Sequence, residues 1–158
     1  MIINQDSLIK NVPKFKNSPS ILLVIAPYYE TITYQLVEGA KEVLNKANAK
    51  IELIDVPGAL EIPTAIKLAS NHFSGFIALG CVIRGETSHY ETVTTESARA
   101  LSCLGLEGVC VGNSILTVEN YEQAWERASI RKKNKGGDVA NACLRMMEVK
   151  KYFHSLSL

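Results

Sequence analysis

The residue types best suited to chemistry lie together in residues 80–90, GCVIRGETSHY. Gly80, Gly85 and Thr87 sit almost at the spacing of a nucleotide phosphate loop, GxxxxGK followed by Ser or Thr. Glu86 stands where that loop needs its lysine, and Gly80 falls inside an apolar run instead of in the turn. A carboxylate aimed at a triphosphate repels it, so hydrolysis of ATP or GTP is not expected. No GxGxxG turn follows a strand either, since Gly105, Gly108 and Gly112 have the wrong spacing. A smaller anion site survives. Gly85 permits a tight turn, and the N–H groups after it, with the Thr87 hydroxyl, open a helix and suit a single phosphate. His89 comes next. A solitary histidine is commonly a surface or core residue; beside an anion turn it also qualifies as a proton carrier, and both readings stand.

Other segments add candidates. Tyr28 and Tyr29 follow an apolar run and either stack on a planar heterocycle or simply cover the fold. In PGALE, residues 57–61, Gly58 and Ala59 keep the backbone open to a ligand. Glu61 either accepts hydrogen bonds from polyol hydroxyls or complements a helix dipole. Arg127, Arg131, Lys132, Lys133 and Lys135 form a basic cluster, which is a solvated face or lends one or two cations to a phosphate. No aromatic side chain interleaves them and the formal net charge is only +1, so a nucleic-acid partner is not expected. Tyr121, Trp125 and Ala128 share a helical face and read as packing. The four cysteines, Cys81, Cys103, Cys110 and Cys143, lie in apolar segments without a CxxC pair. His72, His89 and His154 are not spaced to complete a zinc site. Buried reduced thiols are expected, with no metal and no disulfide.

These residues need elements to position them. The 158 residues are 47% apolar and 21% charged, the profile of one soluble domain spanning residues 1–158. No apolar run is long enough to span a membrane and no signal peptide opens the chain, so a cytoplasmic protein is expected. Residues 1–20, with Pro13 and Pro19, read as an extended arm. Apolar or β-branched runs predict strands at residues 21–26, 50–56, 76–83 and 108–116. Helical spacing covers residues 31–48, 59–73 (ended by Gly75), 89–104, 119–129 and 135–153. Thr87 or Ser88 is the expected cap of the third helix, with Glu91 in its first turn. This alternation predicts an α/β, flavodoxin-like fold: a three-layer α/β/α sandwich around a four-stranded parallel sheet. Ligands then bind beyond the carboxyl ends of the strands, in the loops at residues 27–30, 57–61, 84–89 and 113–119.

Taken together, the segments VPGALEIP (56–63), ALGCVIRGETSHYETV (78–93), ILTVENYEQAWERA (115–128) and NKGGDVANACLRM (134–146) resemble the lumazine synthase family. The resemblance covers residues 21–149. It implies condensation of 5-amino-6-(D-ribitylamino)uracil with 3,4-dihydroxy-2-butanone 4-phosphate to 6,7-dimethyl-8-ribityllumazine, with loss of phosphate and water and with no cofactor or metal. By position it implies that Tyr28 stacks on the pyrimidine, that Ala59, Leu60 and Glu61 bind the ribityl chain, and that Val82 and Ile83 meet the heterocycle. Gly85, Glu86, Thr87 and Arg127 fall at phosphate-binding positions, His89 at the proton-transfer histidine, and Lys135 and Asp138 at a charged pair near the substrate. The family often has Phe-Gly where this chain has Asn113-Ser114, and Arg-Phe-Asn where it has Pro27-Tyr28-Tyr29. Asn113 thus replaces an apolar wall donated to a neighbouring subunit. The family builds homopentamers with sites at subunit interfaces. Residues 129–133, SIRKK, lack the Gly-Thr-Lys-Ala-Gly pattern of shell-forming members, so a pentamer or a pair of pentamers is expected. Two rivals are a lumazine- or flavin-binding or shell-forming protein of this fold without turnover, and an unrelated phosphosugar-binding domain.

Overall fold

The computed structural model describes residues 11–156. Strand β1 (Ser20–Ala26) is followed by a 3₁₀ turn and helix α1 (Glu30–Lys46), then by β2 (Lys50–Asp55), a second 3₁₀ turn (Ala59–Glu61) and α2 (Ile62–Ala69). The chain continues through β3 (Gly75–Ile83), α3 (His89–Leu106), β4 (Val111–Val118), α4 (Tyr121–Ala128) and α5 (Lys135–Ser155). The four strands are parallel in the order β2-β1-β3-β4. The predicted α/β architecture is therefore observed, and the sheet reverses direction of growth between β1 and β3, where such folds bind ligands.

The central strands are apolar without interruption because both faces are covered. Ile21, Leu23 and Ile25 of β1 face α1, α4 and α5, whereas Leu22, Val24 and Ala26 face α2 and α3. Each full burial of such a side chain contributes about 1.5–3 kcal/mol. Helix α1 buries Ile32, Leu36, Ala40, Val43 and Leu44, a stripe of i, i+4 and i+3 steps. It stops where Asn48 takes φ 55°, the left-handed conformation that asparagine tolerates after a helix. Helix α5 crosses α1 so closely that a Cβ on Gly136 would collide with the Leu36 carbonyl.

Several boundaries differ from the sequence expectations. Of the expected arm, residues 1–10 lie outside the described residues, while Val12 and Phe15 pack against the core. Pro63, tolerated in a first turn but not deeper, starts α2 at Ile62, and residues 59–61 become a separate 3₁₀ turn. Gly75 does not end that helix; it opens β3, where Ile21 Cδ1 and Met147 Sδ lie only 2.8 Å from the site of a Cβ. Gly108, with φ 88°, closes α3 instead of starting a strand, and Val109 N–H donates to the Leu104 carbonyl at 3.1 Å. β4 accordingly runs from Val111 to Val118, so residues 113–118 belong to the strand and not to its exit loop.

Candidate active site

A cleft of about 670 Å³ opens at the carboxyl ends of β1 and β3, within the size range of small-molecule sites. β1 delivers Tyr28 and Tyr29 through its 3₁₀ turn, β2 delivers Gly58, Ala59, Leu60 and Glu61, and β3 delivers Cys81, Val82 and Ile83. The turn into α3 adds Gly85, Thr87, His89, Tyr90 and Val93. Ala59 is buried and Leu60 and Glu61 are exposed, so the segment presents a carboxylate on an open backbone. The Tyr28 ring is 78% exposed and meets Tyr29 edge-on, with centroids 5.0 Å apart at 70°. Tyr29 in turn packs on the core, which braces the outer ring.

The floor is uncharged. Burial pushes the Cys81 thiol up to about 11. Burial also raises the Tyr29 phenol, with smaller contributions from Tyr28 and Cys81. Neither group ionises near neutral pH. Among the described residues lining the cleft, Glu61 carries the only formal charge.

The anion turn is open. Gly85, Glu86, Thr87, Ser88 and His89 are all exposed. Ser88 precedes α3 but makes no side-chain capping bond, and the Thr87 hydroxyl accepts from the His89 N–H at a long 3.4 Å. Apart from that long contact, Thr87 and Ser88 offer the first-turn N–H groups of α3 no side-chain acceptor, which leaves them open to an anion. Gly85 does not have a left-handed φ, and its missing Cβ faces empty space. Its expected role as a turn former gives way to one of leaving room. Glu86 belongs to the turn but does not line the cleft.

The expected site residues thus divide into two groups. Arg127, Lys135, Asp138 and Asn113 are absent from the cleft lining. Arg127, on α4, donates to the Gln123 carbonyl at 3.2 Å. Lys135 and Asp138 form an ion pair at 2.9 Å at the start of α5. Asn113 is the third residue of β4, opposite Ala78, and its side-chain carbonyl accepts from the Ile115 N–H at 2.9 Å. It lies five residues, or about 17 Å, before the strand's carboxyl end and does not line the cleft of its own chain. Ser114 hydroxyl donates to the Lys135 carbonyl at 3.4 Å, so Asn113, Ser114, Lys135 and Asp138 gather at the β4 edge of the sheet.

Sequence reasoning named neither Cys81, Tyr90 nor Val93 as lining residues, and left Arg84 unassigned. His89, Tyr90 and Val93 follow the i, i+1, i+4 pattern of one helix shoulder, a signal that was available. Cys103 is exposed, unlike its three buried counterparts and contrary to expectation, because it lies on the outer face of α3. The cysteines are free, and among the described residues no cluster of metal ligands occurs. No helix among them is long and apolar enough to cross a membrane.

The sequence pattern of the 6,7-dimethyl-8-ribityllumazine synthase family matches residues 18–151. A 6,7-dimethyl-8-ribityllumazine synthase of Bartonella tribocorum is 50% identical over 144 residues, covering 89% of this chain and 95% of that protein. One from Jannaschia sp. is 49% identical over 138 residues, 86% of this chain and 78% of its own. One from Zymomonas mobilis is 50% identical over 132 residues, 82% of this chain and 95% of its own. A cleft at the β1/β3 switch point, an exposed turn at its rim and this likeness along most of the chain agree: the chain belongs to the 6,7-dimethyl-8-ribityllumazine synthase family.

Proposed function

We propose that the protein condenses 5-amino-6-(D-ribitylamino)uracil with 3,4-dihydroxy-2-butanone 4-phosphate to 6,7-dimethyl-8-ribityllumazine, a transferase step of riboflavin biosynthesis in the cytoplasm. The observation that carries this reading is the single cleft that holds an exposed aromatic ring, a carboxylate on open backbone, a phosphate turn and a histidine. Tyr28 stacks on the pyrimidine, Ala59, Leu60 and Glu61 take the ribityl hydroxyls, and Val82 and Ile83 line the heterocycle. The pyrimidine amine attacks the ketone carbonyl, and water leaves as an imine forms. Loss of a carbon-bound proton then expels phosphate and leaves an enol, which tautomerises to a new carbonyl; the ribitylamino nitrogen closes the ring on that carbonyl, and a second water leaves with the product. His89 carries the protons; Gly85, Thr87 and the Glu86 backbone hold the phosphate. Amine and ketone already react with each other, so the step asks for no cofactor or metal.

The second part of this reading is a homo-oligomer, a pentamer or a pair of pentamers, with shared sites. A phosphate needs a cation, and the cleft lining supplies none. Arg127, Lys135, Asp138 and Asn113 stand at the β4 side of the same chain. A ring contact that sets this edge against the next copy's cleft brings the two groups together. Mixing the two substrates with the protein and following product absorbance, fluorescence and inorganic phosphate tests the reaction. Binding of the pyrimidine without phosphate release would favour a non-catalytic lumazine- or flavin-binding protein instead. Light scattering reads the mass of the assembly.

A further inference from the structure

The open turn at residues 85–89 contributes almost nothing to its own rigidity. Its residues are exposed, Gly85 has empty space beside it, and the turn's side chains offer only the long Thr87 contact. The groups that hold it converge on one residue before it. Arg84 N–H donates to the Val118 carbonyl at 2.9 Å, tying the end of β3 to β4. Its Nε donates to the Glu119 carboxylate at 2.9 Å, and its Nη1 pairs with the Glu91 carboxylate. The guanidinium carbon lies 4.1 Å above the Tyr90 ring. One side chain thus spans the turn from its first residue to the first turn of α3, and fastens both to the exit of β4.

We propose that Arg84 is the positioning residue of the phosphate turn: its guanidinium clamps Tyr90, Glu91 and Glu119 so that the first-turn N–H groups of α3 converge on one phosphate. The inference rests on the turn's proposed role. Arg84 is assigned no contact with the ligand, because its Nε and Nη1 are committed to carboxylates and it does not line the cleft. Individually, exposed ion pairs are weak. Two carboxylates and a ring on one planar cation restrict it together, which a lysine cannot reproduce. The held geometry is a phosphate-specific one, so the pyrimidine subsite on Tyr28 and residues 59–61 is left alone.

The test uses the full-length assembled protein, as wild type, Arg84→Met, Arg84→Lys and Glu119→Gln. The readouts are KM for each substrate, kcat, the Kd of inorganic phosphate by calorimetry, and amide exchange across residues 85–91. Arg84→Met is expected to raise the phosphate Kd and the KM of the phosphorylated ketone by about 10- to 100-fold, the usual effect of small misplacement. The KM of the pyrimidine stays within about twofold, and exchange accelerates at residues 85–91 but not in β3. Arg84→Lys restores only part of the loss, and Glu119→Gln costs about two- to fivefold. An Arg84→Met protein whose phosphate Kd is within twofold of wild type, or whose two KM values rise alike, overturns the clamp. Wild-type protein whose phosphate affinity falls on Arg84→Met yet which makes no lumazine keeps the clamp and sinks the reaction; wild type that binds no phosphate sinks both.

Discussion

Co-expression of a His89→Ala chain with an Arg127→Ala chain separates a shared site from a self-contained one. His89 lines the cleft, whereas Arg127 lies on α4 outside it and is satisfied by the Gln123 carbonyl at 3.2 Å. In the proposed ring, one repeated heterologous contact sets each cleft against the β4 edge of the next copy. In a random equal mixture, a cleft keeps its histidine when its own chain is the Arg127→Ala one. It meets an intact arginine when the next chain is the His89→Ala one. Each condition holds half the time, so about a quarter of the sites are complete. Each parent assembly alone is far weaker when substrate is below KM. Loss of a general acid–base costs about 10²–10⁴-fold. Loss of a charge-assisted phosphate contact costs about 1.5–3 kcal/mol, or about 10- to 150-fold. The mean of the two parents is then at most about a twentieth of the wild-type rate. The mixture should run at about a quarter of it. Initial rates from product absorbance give the comparison, and native mass spectrometry verifies that mixed rings have formed. Verified mixed rings whose rate equals the mean of the parents would refute the shared site.

Five further outcomes are expected. His89→Ala alone should slow turnover by about 10²–10⁴-fold without abolishing it, measured as kcat; complete loss with an intact circular dichroism spectrum would show that proton transfer, not placement, dominates. Tyr28→Ala should raise the pyrimidine KM by about two- to tenfold, the worth of one aromatic contact, and leave the KM of the phosphorylated ketone unchanged. Gly136→Ala forces a methyl against the Leu36 backbone and should lower stability by about 1–3 kcal/mol or more in thermal unfolding. Gly85→Ala enters open space and should leave the melting temperature in place while weakening phosphate binding. At pH 7 to 8, iodoacetamide should label Cys103 first: burial holds Cys81 up to about 11 and Cys143 up to about 12, and raises Cys110, so these stay protonated until the chain unfolds.

Much of the fold was legible because its signals are local. The run ILLVIA needs two covered faces, and the i, i+4 stripe of α1 needs one, so the alternation of elements followed directly. Boundaries were less legible where one residue serves a purpose set by distant partners. Gly75 looks like a helix stop, yet it is demanded by Ile21, Met147 and Cys143, residues far away in sequence. Gly108 and Gly112 look like one strand's start, but the first ends α3 in the left-handed region and the second admits Val139 of α5. The cleft was legible as loops after strands, because parallel topology sends those loops to one edge. Arg84 was not, since its meaning depends on Glu119, brought beside it only when β4 pairs with β3.

The proposed division of the site between cleft and β4 edge bears on how the reaction would be accelerated. A proton carrier contributes about 3–5 kcal/mol, whereas holding two reactants in attack geometry contributes about 7–11 kcal/mol. The cleft holds one histidine, His89, the proposed proton carrier, exposed and placed at the head of α3. Its remaining apparatus is positional: a braced ring, open backbone at residues 58–61, and a turn pinned through Arg84. Placement of that kind depends on rigid elements and not on a single side chain, so it can be distributed over two copies without loss. The phosphate is the one group that placement by neutral donors cannot satisfy, because an anion at an open helix terminus is still exposed to water's competition. If, as proposed, a second copy supplies its cation, catalysis is conditional on assembly. Dilution below the ring's dissociation constant should therefore cost phosphate-substrate KM before it costs pyrimidine binding, and equal loss of both would mean that the cleft itself, not the shared cation, comes apart.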